Sequence, residues 1–308
     1  MGYMQFSIII PTYNRPDLTI KTIDSVLNQT FSDYELIVVN DGSTDNTLEV
    51  LISYGNRIVL IDKENSGAEK SRNAGAEKAS GKYLCFLDSD DLFFPWTLNV
   101  YDKIIKSKNY PPLVLGQPIH FIDKVPQLAI DKNQDKISFA AYKDYFSKDR
   151  TVYSSSSMIV IRRDVFFKLN GFRKDYEKKE FFLDDIEFML RAGTVSPVII
   201  VFQPFQFAYR THSDNSVKNL KRVLKSMNYL LDMDNENVFA GGKERAFERH
   251  AIIAGPSYYW LFKALRHGIV MDSLQFFFRA YPYIAKGLFK KVKNSLKQKK
   301  ELETLPFN

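Results

Sequence analysis

The sequence predicts an α/β protein built on a doubly wound, mostly parallel sheet with a C-terminal helical extension, and three observations carry that prediction. Four short, continuously apolar runs occur early in the chain, at residues 6–10, 35–39, 58–61 and 83–87. Runs without polar alternation fit strands covered on both faces, as in parallel sheets. Segments with helical spacing lie between them and give a βαβαβαβ series. From about Val217 the spacing stays helical to the end of the chain.

Each element has its own signal. The first helix opens at Pro16, the position proline prefers, and carries Ile23, Val26 and Leu27 on one face. The second follows Gly42-Ser43-Thr44-Asp45, whose side chains suit a helix start, with Leu48, Leu51 and Ile52 as its stripe. A third runs from about Gly67 to Ala79 and stops before Gly81. Prolines at 111, 112, 118 and 126 interrupt residues 107–150, which read as loops and short elements. Residues 153–161 look strand-like again. The stretch 184–191 reads as a helix with Ile186, Met189 and Leu190 inward.

With 308 residues, one core is no longer comfortable, so one large domain with an appended piece is expected. The single cysteine, Cys85, lies in an apolar run; this excludes an internal disulfide framework and fits a reducing compartment. The N-terminal apolar run is too short for a secretory signal and ends at Pro11-Thr12. No stretch reaches the ~18 apolar residues of a membrane span. The expected location is therefore cytoplasmic, with attachment at the inner face of the cell membrane as an option. The net charge of +7 is uneven: residues 261–300 hold ten lysines and arginines against one acid, Asp272.

In open parallel sheets, ligands bind beyond the carboxyl ends of the strands. The residues there are polar: Thr12-Tyr13-Asn14, Asn40-Asp41-Gly42, and Asp88 to Asp91. Three carboxylates in four positions repel one another unless something positive sits among them. An all-oxygen set at a strand end suits Mg²⁺ or Mn²⁺, held by one or two carboxylates with water and phosphate completing the shell. A second reading has Ser89 to Asp91 capping the following turn.

Four motifs occur in order: residues 6–15 (FSIIIPTYNR), residues 35–45 (ELIVVNDGSTD), Asn65-Ser66-Gly67 with Ser71-Arg72-Asn73, and residues 81–91 (GKYLCFLDSDD). This set resembles the family 2 glycosyltransferases, inverting enzymes of GT-A fold. The resemblance continues through Asn170-Gly171-Phe172, Asp184-Asp185 and Tyr209-Arg210-Thr211-His212, and fades after about Ser216. It implies a GT-A-type catalytic domain over residues 1–216, followed by a basic helical region over 217–308. It also implies a nucleotide-sugar donor, with a UDP-sugar favoured, and a saccharide or lipid-linked saccharide acceptor, as in surface polysaccharide synthesis.

The resemblance also implies roles. Pro11, Thr12, Tyr13 and Asn14 would line the nucleotide pocket, with Tyr13 stacked on the base and Asp41 accepting from it. Asp88 and Asp90, with Ser89 between them, would form the DxD pair, Asp90 being the direct ligand of the metal and Asp88 nearer the ribose and diphosphate. Arg72 and Asn73 would brace that loop or approach the phosphates, and Arg210 would offset phosphate charge. His212 would close over the diphosphate and touch the metal. Single displacement needs one carboxylate to take the acceptor's proton. Family members use the aspartate of a Glu-Asp pair; here Asp184-Asp185 stands in its place, making Asp185 the base. Capping of the helix is the other reading of these aspartates.

Other classes fit less well. A phosphatase of the haloacid dehalogenase type places its aspartate pair after the first strand, and a sugar nucleotidyltransferase needs a Gly-rich, Arg-containing loop where Pro11-Thr12-Tyr13-Asn14 stands. A non-enzymatic nucleic-acid binder would explain the basic tail. It would leave carboxylates lining the strand ends, which repel a phosphate backbone; no nucleic-acid partner is expected. In the tail, Leu274, Phe277, Phe278, Tyr281, Ala285, Leu288, Phe289 and Val292 recur at helical spacing with a break at Pro282. That stripe suits either peripheral contact with an anionic membrane or packing on the catalytic domain.

Overall fold

The computed structural model describes residues 4–122, 136–150, 152, 154–173, 181–211, 219–296 and 299–307. The N-terminal half runs β1 (Phe6–Thr12), α1 (Pro16–Leu27), β2 (Tyr34–Asn40), α2 (Thr47–Ser53), β3 (Val59–Asp62), α3 (Ala68–Lys78), β4 (Tyr83–Phe86), β5 (Leu92–Phe93) and α4 (Thr97–Ser107). Next come β6 (Leu113–Leu115), β7 (Pro118–Phe121), β8 (Lys136–Tyr142), β9 (Ile159–Arg162), α5 (Arg163–Lys168) and α6 (Asp184–Arg191). The chain finishes with β10 (Val198–Gln203), β11 (Phe207–Arg210), α7 (Leu220–Asn235), α8 (Ala246–Arg266), α9 (Val270–Ser295) and β12 (Glu303–Pro306).

Among the described residues the main sheet has the order β12-β8-β10-β6-β9-β4-β1-β2-β3. Strands β4, β1, β2 and β3 are mutually parallel, as the apolar runs require. Strands β8 and β9 run against their neighbours. All seven residues of β1 are buried, and the sheet's inner strands supply most of the core. A small second sheet, β5-β11-β7, stands beyond the end of β4 and backs the loop that follows it. β4 also places Cys85 in the core, fully buried, where lack of water pushes its thiol above the ordinary range.

Several expectations need correction. β3 is only half-buried because it is the edge strand, where one flank has no neighbour among the described residues. In α2, Thr47 and Leu51 face the core while Ile52 is 62% exposed. The region of interrupting prolines holds the regular strand β8, whose alternate burial is masked in the sequence by the aromatic and alanine residues on both faces. The stretch 153–161 is strand only from Ile159, after a 3-10 turn at Ser156–Met158.

The chain is not helical to its end. β12 pairs with β8 at the sheet edge, and the return is fastened by Lys103 donating to the Phe307 carbonyl at 2.6 Å and by the Lys108–Glu303 ion pair. Helix α9 continues past Pro282 without a break in the helix. It packs on α8 with Phe276, Ala280, Tyr283 and Ile284 buried, while of the stripe the spacing singled out only the Phe289 ring, against Phe247 of α8, and the partly buried Phe277 take part. Burying a Phe or Ile side chain stabilises by about 1.5–3 kcal/mol, so this pairing is firmly held. Leu274, Phe278, Tyr281, Leu288, Phe289 and Val292 are exposed as a result.

Candidate active site

The carboxyl ends of β1, β2 and β4 bring the predicted residues to one crevice. β1 delivers Pro11 and Thr12, both buried; the Thr12 hydroxyl is spent on Thr19, 2.6 Å away, so these two hold strand to helix. Tyr13 is 43% exposed, its ring open to solvent at the strand end. Asn14 sits in the left-handed region, φ 49°, where a short amide side chain is tolerated. Its Oδ1 accepts from the Thr44 backbone N–H at 2.7 Å, and its own N–H donates to Ser43 at 3.0 Å, tying the β1 and β2 ends together.

Asp41, 4% exposed, organises the adjacent loop. It accepts from Ser66 N–H at 3.0 Å, Gly67 N–H at 2.9 Å and the Ser71 hydroxyl at 2.9 Å, and pairs with Lys63. Only one of these donors, Gly67 N–H, reaches Oδ2. That oxygen keeps capacity for a further donor, whereas Oδ1 is saturated.

The crowding of Asp88, Asp90 and Asp91 is resolved by separating the three. Asp91 turns inward, 1% exposed, and accepts from the Ser157 hydroxyl at 2.6 Å and the Arg210 backbone N–H at 3.1 Å. Burial, with the charges of Asp90 and Asp88, pushes its carboxyl well above the usual range. Asp91 is thus a bolt between the loop and β11. Asp90 meets Arg15 at 2.9 Å and Asp88 meets Arg72 at 2.6 Å. The positive partners that the cluster demands are therefore arginines of the chain itself. Ser89 is buried between them, and Arg210 Nε donates to the Asp90 carbonyl at 3.1 Å while its guanidinium lies 4.4 Å from the centre of the Phe121 ring.

Arg72 does more than neutralise Asp88. Its second nitrogen donates to Asp184 Oδ2 at 2.5 Å, so one buried guanidinium links the end of β4 to the start of α6. Its neighbour Asn73 does not approach that crevice. Both ends of its amide are spent on Phe172, donating at 2.7 Å and accepting at 2.9 Å. Gly171, at φ +63°, lets the turn pass so close that an added Cβ would lie 2.5 Å from the Asn73 amide oxygen.

Asp184 and Asp185 both lie in the first turn of α6, where the helix dipole favours negative charge. Burial, followed by the charge of Asp184, pushes Asp185 up to about 7. The capping and the chemical readings coexist here. The Asp185 carboxylate accepts from the Ile186 backbone N–H at 2.8 Å through Oδ1.

The donor set fits a hard divalent cation. Asp88 and Asp90 present oxygen ligands only, and no group of three or more candidate ligands occurs among the described residues, so phosphate and water would complete the shell. His212 lies outside the described residues. The sequence reading missed Arg15 and Lys63. Arg15 stands two residues after Tyr13, beyond a strand end already flagged, whereas Lys63 follows β3 directly, a strand end to which the same rule had not been applied.

An uncharacterised glycosyltransferase of Rickettsia bellii is 47% identical over 106 residues, which is 34% of this chain and 15% of the relative. The alignment thus spans well under two thirds of that protein's length. An uncharacterised glycosyltransferase of Methanocaldococcus jannaschii is 28% identical over 70% of this chain and 74% of its own. Staphylococcus aureus TarS, solved in complex with UDP-GlcNAc, has a similar fold: TM-score 0.68 at 16% identity, covering 94% of this chain and 89% of that one. So has a mannosyltransferase of Pyrobaculum calidifontis in complex with GDP-Man and Mn²⁺, at a TM-score of 0.50 and 16% identity, covering 95% and 87%. The model for glycosyl transferase family 2 matches residues 7–169, the span that carries Asp88, Asp90 and, but for Phe6, all four of the ordered motifs, and the chain belongs to that family.

Proposed function

We propose that the protein is an inverting glycosyltransferase that moves a sugar from a nucleoside diphosphate donor, a UDP-sugar by preference, to a saccharide or lipid-linked saccharide hydroxyl. One observation carries the reading: Asp88, at the end of β4 and two residues from Asp90, is joined through the Arg72 guanidinium to Asp184, in the helix turn that bears Asp185. Leaving-group machinery and a carboxylate held near neutrality are thereby fixed to one another.

The displacement is written from these residues. The acceptor oxygen attacks the anomeric carbon, its proton passes to the Asp185 carboxylate, and the carbon–oxygen bond to the diphosphate breaks with its electron pair leaving on the nucleotide. Tyr13 offers an open ring for the base, and Asp41 Oδ2 an acceptor for an imide N–H, the pattern uracil presents. Mg²⁺ or Mn²⁺ held by Asp90, with Asp88, would neutralise the charge that develops on the diphosphate. Arg210 adds a fixed positive charge beside it. His212 is proposed as a further contact to that group.

A panel of nucleotide-sugars in a thermal-shift assay checks this. UDP-sugars are expected to raise the melting temperature only with Mn²⁺ or Mg²⁺, and Asp90→Ala to abolish the rise. A panel with no metal-linked response would remove the reading.

The two halves are proposed as a catalytic unit over 1–216 and a membrane-facing unit over 217–308. Helix α9 exposes Leu274, Phe278, Tyr281, Leu288, Phe289 and Val292 along one side, with Phe278 at 74% and Phe289 at 63%. Lys291 and Lys293 accompany it, in a region of ten basic residues and one acid. No described helix is long and apolar enough to cross a membrane, so contact would lie in the surface plane. This supports work at the anionic inner face of a cell membrane, where lipid-linked acceptors and surface polysaccharide intermediates are met. Phe278→Asp with Phe289→Asp is expected to lose sedimentation with phosphatidylglycerol vesicles while keeping nucleotide binding. Equal sedimentation of variant and wild type would remove the membrane role.

A further inference from the structure

We propose that Lys63 is a positioning residue for base choice: it fixes which end of the residue 41 side chain faces the nucleotide base, and with Asp41 in place this admits uracil and refuses cytosine. The inference rests on the nucleotide-donor reading of the same crevice and supplies the device by which the pyrimidine is selected.

Strand register brings the two residues together. β2 and β3 pair with Asn40 opposite Asp62, and the Lys63 backbone N–H donates to the Asn40 carbonyl at 3.1 Å, so residue 63 stands beside residue 41 just past both strand ends. The Asp41 N–H donates to the Thr12 carbonyl at 2.9 Å. Its carboxylate therefore lies next to the strand end that carries the open Tyr13 ring.

An ammonium has three hydrogens and no acceptor. Lys63 Nζ donates to Asp41 Oδ1, to the Ser66 hydroxyl at 2.5 Å and to the Glu64 carbonyl at 2.8 Å; its contact with the Ser71 hydroxyl is longer, 3.5 Å. Asp41 Oδ1 thus meets three donors: this ammonium, Ser66 N–H at 3.0 Å and the Ser71 hydroxyl at 2.9 Å. Oδ2 meets Gly67 N–H at 2.9 Å. Lone-pair capacity for a ligand remains on Oδ2. Uracil brings N3–H to such an oxygen, whereas cytosine brings an N3 lone pair and is refused.

The part played by Lys63 becomes measurable when residue 41 is an amide of the same shape. Two of the donors at the Oδ1 place, the ammonium and Ser66 N–H, can never accept, against one such donor, Gly67 N–H, at the Oδ2 place. The asparagine carbonyl is therefore held at the Oδ1 place and the NH₂ group is turned towards the base. That group donates to cytosine N3 and repels uracil N3–H. Without Lys63 the count is one against one, and the Ser71 hydroxyl can turn to suit either end of the amide. Nothing then decides the orientation.

The test titrates the full chain, saturated with Mn²⁺, with UDP and with CDP by calorimetry. Wild type is expected to bind UDP about tenfold or more tightly than CDP, since a buried polar group left unmatched is costly. Asp41→Asn should reverse the order. Asp41→Asn combined with Lys63→Met should bind the two within about threefold of each other, a loss of preference that a merely structural lysine would not produce. Lys63→Met alone should keep the uracil preference, because a carboxylate has no hydrogen to offer either base. An Asp41→Asn protein that still prefers UDP, or a double variant that prefers CDP as strongly as the single one, overturns the proposal. So does an Asp41→Asn protein that fails to fold, because the donors at the Oδ1 place suit a neutral carbonyl as well. Loss of preference in Lys63→Met alone overturns it too, since the ammonium would then read the base itself. If wild type binds neither nucleotide, the donor reading falls; if it prefers UDP while the Asp41→Asn order does not reverse, only the role of Lys63 falls.

Discussion

Asp185→Asn is expected to abolish transfer and leave donor binding intact. A positioned carboxylate that takes the acceptor's proton contributes roughly 100- to 10,000-fold to rate, and an amide of the same shape cannot take that proton. The affinity for UDP and Mn²⁺ should be unchanged, since Asp185 touches neither Asp88 nor Asp90 directly; what pairs with Arg72 is Asp184. Calorimetry for nucleotide and single-turnover transfer for rate separate the two effects. Turnover within tenfold of wild type would return Asp185 to a helix-capping role.

The pH profile gives a second readout of the same group. Asp185 is pushed up to about 7, chiefly by burial and then by Asp184, and it acts only when ionised. The rate should therefore climb tenfold per pH unit below about 7 and level off above it. Stability moves the other way. The folded state holds this proton more tightly than the unfolded chain, so stability is highest below the usual carboxylate range and declines as pH rises towards 7. Asp185→Asn removes that decline and should be the more stable protein at neutral pH, a cost of keeping a reactive carboxylate in place.

The parallel half of the fold was legible because buried strands and amphipathic helices leave unmistakable periods. β1, β2, β4, α1, α3 and α6 lie where the runs of residues predict them. β8 and β12 were hidden for a physical reason: each is stabilised by pairing with a strand far away in sequence, and no local pattern records that. The same limit applies to the crevice. Strand-end position puts Tyr13, Asp41, Asp88 and Asp90 beyond the carboxyl ends of adjacent parallel strands, but partner choice did not follow from it. That Asp91 would face Ser157, Asp90 Arg15 and Asp88 Arg72 depends on contacts spanning 66, 75 and 16 residues. In α9, spacing identified an apolar stripe but not which of two stripes meets α8. Gly287, lying against Ala254 of that helix, decides this by letting the backbones approach.

Arg72→Met should be the most destabilising single change in the crevice. The guanidinium is 6% exposed at its side chain and pairs with Asp88 at 2.6 Å and Asp184 at 2.5 Å. Removing one partner from a buried ionic group leaves uncompensated charge, at a cost of about 3–5 kcal/mol. Asp88 already sits above the ordinary carboxylate range through burial, with Arg72 the first influence opposing the rise. Without Arg72, Asp88 should rise further. A folded-state value above the unfolded one means the penalty grows as pH rises through that interval, so urea unfolding should show a larger deficit at pH 8 than at pH 5. Arg72→Lys should recover only part of the loss, because one ammonium cannot span two carboxylates with the geometry of a planar fork. Transfer should fall in both variants, since the β4 end and the turn carrying Asp185 are no longer tied. If Arg72→Met unfolds at the wild-type urea concentration at both pH values, the link between Asp88 and Asp184 does not hold the crevice together, and the coupling of leaving-group and base machinery has to be sought elsewhere.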